Sequence, residues 1–377
     1  MASTLDAKVL FDQNLDSYVK KERAAVDLAQ SIGTLLYDHN IELVLFRNHL
    51  VEAGVTDLLK LLTYSKDVVK SEISIYELAD VAKALLSLKL APSKIDIGRL
   101  ANEYKTEGNN GDLSAFIASK LSGLGIENAV EITPKDVVLF GFGRIGRLAA
   151  RELIKQAGKG QQLRLRAIVT RNDSDAEMIK RAALLRNDSV HGEFEGTVDL
   201  DLENKQMVVN GQIVKLIKAS SPEDVDYTAY GINDALLIDN TGAFKDREAL
   251  GRHLKSKGIS KVILTAPGKE IPNIVYGVNH SDLDLENETI FSAASCTTNA
   301  ITPILKVVND VYGVEKGHIE TVHAYTNDQN LLDNMHKNSR RGRSAAINMV
   351  ITETGAGKAV TKCIPELMDK LTANAVR

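Results

Sequence analysis

The chain has 377 residues, 44% of them hydrophobic and 25% charged, with a formal net charge of −4. That is a globular composition with room for more than one core. Its acidic balance excludes a general basic field for nucleic acid or an anionic membrane, so any bound anion must be held by a local site. Two cysteines cannot build a disulfide framework, which fits a reducing compartment. The first residues lack the apolar core of a signal peptide, and no run is long enough to span a bilayer. A cytoplasmic protein without nucleic-acid or membrane partners is expected.

Residues 1–133 read as helices. From Leu15 to Leu36 apolar residues recur at spacings of three and four, among them Tyr18, Ala25, Leu28, Ile32 and Leu35. Further helical patterns follow at Val51–Leu62, Ile75–Leu88, Lys94–Tyr104 and Leu113–Leu124. The last three are separated by the turn signals Ala91-Pro92-Ser93 and Gly108-Asn109-Asn110-Gly111. The run IELVLF at 41–46 suits a strand or a buried helical turn equally well.

At Glu131-Ile132-Thr133-Pro134 the texture changes, and Pro134 is read as a domain boundary. Short apolar runs now alternate with helical patterns: VVLF at 137–140, a helix from about Ile145, LRAIV at 165–169, a helix from about Asp175. ALLID at 235–239, a helix near Arg247–Lys257 and KVILT at 261–265 continue the series. Asn210-Gly211, between KQMVV and QIVKLI, predicts a hairpin with a type I′ turn. The alternation predicts an α/β unit with a parallel sheet wrapped by helices.

Gly141-Phe142-Gly143-Arg144-Ile145-Gly146 is G-x-G-x-x-G, directly after a predicted strand and opening a predicted helix. The first glycine permits a tight turn, the second lets backbone approach a pyrophosphate, and the third allows close helix–strand packing. Helix N-terminal N–H groups then hold the anion. A Rossmann-type dinucleotide-binding domain over 134–295 is expected. At the end of the second strand, where a ribose contact belongs, stands Thr170-Arg171-Asn172-Asp173, after a connection lengthened by GKGQQ. Arg171 in that place would accept a 2′-phosphate and admit NADP; Asp173 would favour NAD. Both stay open.

Cys296 falls at the start of a helix predicted to run to about Tyr312, with Thr302-Pro303 tolerated only in its first turns. A helix N-terminus presents unpaired N–H groups, which favour the nucleophilic thiolate. Ser295, Thr297, Thr298 and Asn299 offer hydroxyls and an amide to an oxyanion or phosphate. A cysteine simply packed near a helix start is the alternative. Downstream, His318–Thr326 reads as a strand, and His323 on it would be a suitable base for covalent catalysis. The basic cluster His336–Arg343 could anchor a phosphorylated substrate. Thr354-Gly355-Ala356-Gly357-Lys358 precedes another helix, within which Cys363 is read as structural.

Taken together, GFGRIGR at 141–147, SCTTN at 295–299, TVHAYTNDQ at 321–329, RRGRSAA at 340–346 and TGAGKAV at 354–360 resemble glyceraldehyde-3-phosphate dehydrogenase, in the family's order and approximate spacing. Asn240-Thr241-Gly242, Thr265-Ala266-Pro267 and Asp188-Ser189-Val190-His191-Gly192 add to the match, which covers about Lys135 to Arg377. The resemblance implies Cys296 as nucleophile and His323 as its base. It assigns the substrate's phosphate to Thr326 and Arg377, and attacking inorganic phosphate to Ser295, Thr297, Thr354, Gly355 and Arg341. Phe142, Gly143, Arg144 and Ile145 would contact NAD or NADP, with Thr241, Gly242 and Thr265 lining the cleft. No metal is called for. It further implies glyceraldehyde 3-phosphate as substrate, a homo-oligomer, tetrameric by family habit, and an α+β catalytic domain over 296–377.

The resemblance has departures. Phe140 stands where family members generally carry asparagine, removing a polar contact from the cofactor site. The sequence stops at Arg377, within the family's catalytic domain, so the chain reads as part of a longer polypeptide with that domain incomplete. The all-helical N-terminal region lies outside the ordinary family pattern and looks like the extension of long bacterial forms. Two other readings stay open. One is erythrose-4-phosphate dehydrogenase, where water replaces phosphate. The other is a nucleotide-responsive regulator or scaffold with a vestigial catalytic half.

Overall fold

In the computed structural model, which describes residues 4–377 except 52, 71, 109, 110, 130–132, 159, 161 and 353, the stripe Ala25, Leu28, Ile32 and Leu35 is buried along one face of α1 (Thr4–His39). The turn signal Asn109-Asn110, the change of texture at Glu131-Ile132, and Lys159 and Gln161 of the lengthened connection lie outside the described residues. The chain divides into two units, Met1–Thr133 and Pro134–Arg377.

In the first unit α1 is followed by β1 (Ile41–Leu45), β2 (Asn48–His49), α2 (Val55–Val69), α3 (Ile75–Leu86), β3 (Ser93–Asp96), α4 (Ile97–Glu107) and α5 (Leu113–Lys120). The buried stripe of α1 packs on α3, whose start is fixed by a capping box between Ser74 and Glu77. Helices dominate this region, and it holds in addition a small sheet of order β2-β1-β3. IELVL of that run is thus a strand, buried at Ile41, Leu43, Val44 and Leu45. The helix expected from Lys94 begins only at Ile97. Ser93–Asp96 pairs in parallel with β1, and Asp96 Oδ1 accepts from the backbone N–H groups of Arg99 and Phe46, both at 3.0 Å, capping the helix there.

The second unit opens with β4 (Lys135–Phe140), α6 (Arg144–Gln156), β5 (Leu163–Thr170) and α7 (Asp175–Arg186). The short β6 (Asn187–Asp188) and β7 (Gly192–Glu193) come next, then β8 (Val198–Asp201), β9 (Gln206–Val209) and β10 (Gln212–Lys218). After them stand β11 (Ala235–Asp239), α8 (Arg247–Gly251), β12 (Ile259–Leu264) and β13 (Ile290–Ser292). The helix expected to reach Lys257 is α8 continued by a 3₁₀ turn to Lys255. The main sheet has the order β13-β12-β11-β4-β5-β10-β9-β8, parallel from β13 to β10 and antiparallel in β9 and β8. The β9–β10 turn places Asn210 at φ 45° and Gly211 at φ 77°, the left-handed pair that a type I′ turn requires. Along β4 the side chains alternate between two cores. Val137 and Leu139 join α6 and α7 residues on one face, while Val138 and Phe140 join Leu237, Val262 and Tyr227 on the other. The order reverses at β4, which neighbours β5 on one side and β11 on the other, opening a crevice beyond their carboxyl ends.

The rest of the unit comprises α9 (Cys296–Tyr312), β14 (Gly317–Val322), β15 (Ile351–Thr352), α10 (Ala356–Cys363) and β16 (Leu371–Val376). β14 pairs in parallel with β16, and β15 antiparallel to it. Pro303 lies inside α9 beyond its first turns, where it leaves the carbonyl one turn earlier without an N–H donor. The strand expected to carry His323 stops at Val322, so His323 is the residue that follows it. Among the described residues no helix is long and apolar enough to cross a membrane.

Candidate active site

The crevice at the sheet's switch point is a cavity of about 670 Å³, lined by Phe140, Gly141, Phe142 and Gly143, by Thr170 and Arg171 after β5, and by Thr241 after β11. Gly141 has φ +93°, and a Cβ there would come within 2.9 Å of Thr241 Cγ2. A Cβ on Gly146 would stand 2.4 Å from the Gly141 carbonyl oxygen; a side chain here would force the helix off the turn. A Cβ on Gly143 would meet nothing within 4 Å, so backbone is bare toward the crevice at the head of α6. This bare helix N-terminus and the cavity beside it fit a dinucleotide's pyrophosphate.

Other sequence-marked residues sit around rather than in the cavity. The Arg144 guanidinium lies 3.7 Å from Asp188. Backbone N–H groups of His191 and Val190 hold the Asp188 carboxyl well below the usual carboxylate range. Ile145 is exposed, Gly146 is buried under the turn, and Gly242 takes φ 69°. The Thr265 hydroxyl donates to the Asp239 carbonyl at 3.0 Å. Of the two ribose candidates, Arg171 lines the cavity. Asp173 lines a different one, 4.0 Å from Lys218 Nζ, with its carbonyl accepting from Lys205 Nζ at 2.9 Å. Glu177 and Arg181, paired at 3.1 Å, also line the crevice. Sequence reading passed over them because they sit inside α7, in register with no motif.

Cys296 is exposed at the first position of α9. Ser295 caps that helix, its Oγ accepting from the Thr298 N–H at 3.0 Å. The residue before it, Ala294, is held at φ 58°, a left-handed conformation that costs a non-glycine residue energy. Asn299 donates to the carbonyls of Ala293 and Ser295 at 2.7 and 3.0 Å, closing the turn. His323 Nε2 stands 3.7 Å from Cys296 Sγ, while its Nδ1 is 2.6 Å from the Ala324 carbonyl. A carbonyl only accepts, so Nδ1 carries a hydrogen, and Nε2, the nitrogen left over, is the one that faces the sulfur. The His323 N–H donates to the Val376 carbonyl at 2.8 Å, tying the residue to the end of β16.

Two of the anion candidates come together: Arg377 Nη1 donates to Thr326 Oγ1 at 3.2 Å. Thr297 Oγ1 lies 4.0 Å from Cys296 Sγ. Arg341, by contrast, pairs with the Asp328 carboxylate. Thr354 Oγ1 accepts from the Ala356 N–H at 3.2 Å beside Gly355, at the head of α10. Cys363 is buried at the end of that helix, and burial pushes its thiol up.

Comparison with known proteins separates these two halves in the same way. Residues 135–247 match the profile of the glyceraldehyde 3-phosphate dehydrogenase NAD-binding domain, and residues 295–377 that of its C-terminal domain. A glyceraldehyde-3-phosphate dehydrogenase-like protein of Pseudomonas aeruginosa is 48% identical over 350 residues, covering 92% of this chain and 76% of that one. The chain belongs to the glyceraldehyde-3-phosphate dehydrogenase family. Glyceraldehyde-3-phosphate dehydrogenase of Clostridium pasteurianum is 41% identical over 244 residues, 64% of this chain and 69% of its own. A Trichormus variabilis enzyme of that name is 42% identical over 242 residues, again 64% and 69%. The Pseudomonas match is too long to omit the first unit, so most of that helical region is shared with a relative in the family. Family membership makes the chain an oxidoreductase with a Rossmann-type NAD-binding domain.

Proposed function

We propose that the chain is a phosphorylating aldehyde dehydrogenase acting on glyceraldehyde 3-phosphate. The observation that carries this reading is the 3.7 Å approach of His323 Nε2 to the exposed Cys296 Sγ, with Nδ1 engaged by a carbonyl so that Nε2 is free to take a proton. Residues at the crevice would hold the cofactor: Gly141, Phe142 and Gly143 at the pyrophosphate, Arg171 at the ribose, Thr241 on the opposite wall. When bound, NAD supplies the hydride acceptor.

The chain's own groups divide the remaining work. Cys296 gives its proton to His323 Nε2, and the sulfur adds to the aldehyde carbon. The alkoxide recovers the proton as a thiohemiacetal hydroxyl. His323 removes that proton again during oxidation, leaving a thioester on Cys296. The Thr326–Arg377 pair offers a hydroxyl and a guanidinium to the substrate's phosphate. Inorganic phosphate, received near Ser295, Thr297, Thr354 and Gly355, attacks the thioester carbon, and Cys296 leaves as thiolate with an acyl phosphate released. Arg341 joins this site only by exchanging Asp328 for the incoming anion. For the cofactor, we infer that NADP is accepted beside NAD, because Arg171 faces the crevice while Asp173 faces Lys218. Glyceraldehyde 3-phosphate, phosphate and either cofactor should give reduced-nicotinamide absorbance that depends on phosphate. Turnover unchanged when phosphate is withheld contradicts the phosphorolysis step, and no absorbance from folded protein contradicts the whole reading.

A further inference from the structure

Behind the crevice wall lies a buried carboxylate–imidazole hydrogen bond that the chemistry above does not use. Asp239, the last residue of β11, and His253 are both fully buried, with Nε2 2.9 Å from Oδ2. His253 Nδ1 has no partner among the described residues, so the ring's hydrogen belongs on Nε2, where Asp239 accepts it. Phe140 packs edge-on against the ring, centroids 4.7 Å apart, and Phe244 does so from another side at 5.5 Å. The aromatic residue found in place of an expected asparagine thus packs directly on the imidazole.

The other carboxylate oxygen reaches the crevice. Asp239 Oδ1 accepts from the Thr241 N–H at 2.8 Å and from the Thr241 hydroxyl at 2.7 Å. That hydroxyl oxygen in turn accepts from the Ala243 N–H at 3.1 Å. Thr241 and Ala243 line the cavity, and the Thr241 methyl occupies the space a Cβ on Gly141 would need. A chain of hydrogen bonds therefore runs from the imidazole to the loop 240–243 and sets that loop against the glycine turn. The geometry points to Asp239 and His253 as positioning residues that hold the two walls of the cofactor crevice at their working separation. This rests on the cofactor reading above. A buried pair left with one member unsatisfied is costly in place, and a shift of Asp239 that relieves the cost disturbs its two hydrogen bonds from Thr241 and so displaces the loop.

The test is calorimetric titration of NAD into the full chain, with kcat and KM for NAD measured alongside. His253→Leu should raise the NAD Kd and KM about tenfold while kcat at saturating NAD changes less than about threefold. His253→Gln, whose amide can donate to Asp239, should recover a Kd within about threefold of the parent. Should the leucine variant not fold, Thr241→Val, which removes the hydroxyl that joins Asp239 to the Ala243 N–H, should raise the Kd about fivefold. Parental NAD affinity in folded His253→Leu, or in Thr241→Val where the leucine variant does not fold, overturns the proposal and leaves the cofactor reading standing. A parent chain that binds no NAD removes both.

Discussion

The crevice wall at the ends of β4 and β11 and the cysteine pocket at the head of α9 belong to one unit but are built in opposite ways. Around the crevice the decisive groups are buried or are backbone: Asp239 and His253 at 0% exposure, and Gly141 and Gly146, where a Cβ would collide with Thr241 and with the Gly141 carbonyl. Around the cysteine the groups are side chains nearer the surface: Cys296 and Thr326, both exposed, and a half-buried Arg341 already committed to Asp328. A cofactor surface must be rigid before its ligand arrives, so it is specified by packing. A nucleophile must be reachable, so it is specified by one cap and one neighbour. Substitutions in the first region should therefore change binding and stability together, and those in the second should change turnover alone.

The largest separation is expected at the sulfur. Cys296→Ser should lower turnover by at least about 10⁴-fold, with NAD affinity by calorimetry within about twofold of the parent, since no crevice contact is touched. Loss of NAD binding in that variant would break the distinction between the regions. His323→Asn should cost about 10²–10³-fold in kcat.

The opposite pattern belongs to Gly146→Ala. Its new Cβ meets a backbone oxygen at 2.4 Å, so thermal unfolding should report about 1–3 kcal/mol lost and calorimetry a weakened NAD site. Unchanged stability would show that α6 can slide. Arg171→Ala sharpens the picture within the crevice: about tenfold weaker NADP binding with NAD unaffected. Equal effects on both cofactors would remove Arg171 from the 2′ position. The smallest effect is at the edge of the cofactor half, where Arg247 forks onto Glu288 at 3.0 and 2.6 Å. That hydrogen bonding lowers the Glu288 carboxyl from 4.5 to about 2. The pair's contribution is therefore present above about pH 4.5 and lost as pH falls toward 2. With Arg247 half in water, Glu288→Gln should cost no more than about 1 kcal/mol at neutral pH and nothing at pH 2. A denaturant titration at the two pH values measures the difference.

The same contrast explains what could be read without coordinates. Alternation of short apolar runs with helical patterns locates the main sheet, because β4 is covered on both faces from Val137 to Phe140 and must be apolar there. Glycine spacing locates the crevice because steric need is local to the turn. Three features escaped. Lys94–Asp96 reads as helix in the sequence because the strand it pairs with, β1, lies far away along the chain. Glu177 and Arg181 reach the crevice only through the placement of α7. The choice between Arg171 and Asp173 depends on which way the chain turns after β5, and periodicity carries nothing about that. Among the sequence-marked anion contacts, pairing Thr326 with Arg377 needed β16 beside β14, and Asp328's hold on Arg341 had no sequence signal at all.

Covalent capture bears most directly on the chemistry proposed for this chain. Acid-quenched mixtures of the protein with glyceraldehyde 3-phosphate and NAD, analysed by intact and peptide mass spectrometry, should show one acyl group on Cys296, absent in Cys296→Ser and discharged by inorganic phosphate. An unmodified Cys296 in protein that binds both ligands, or an acyl group on Cys363 instead, would contradict it.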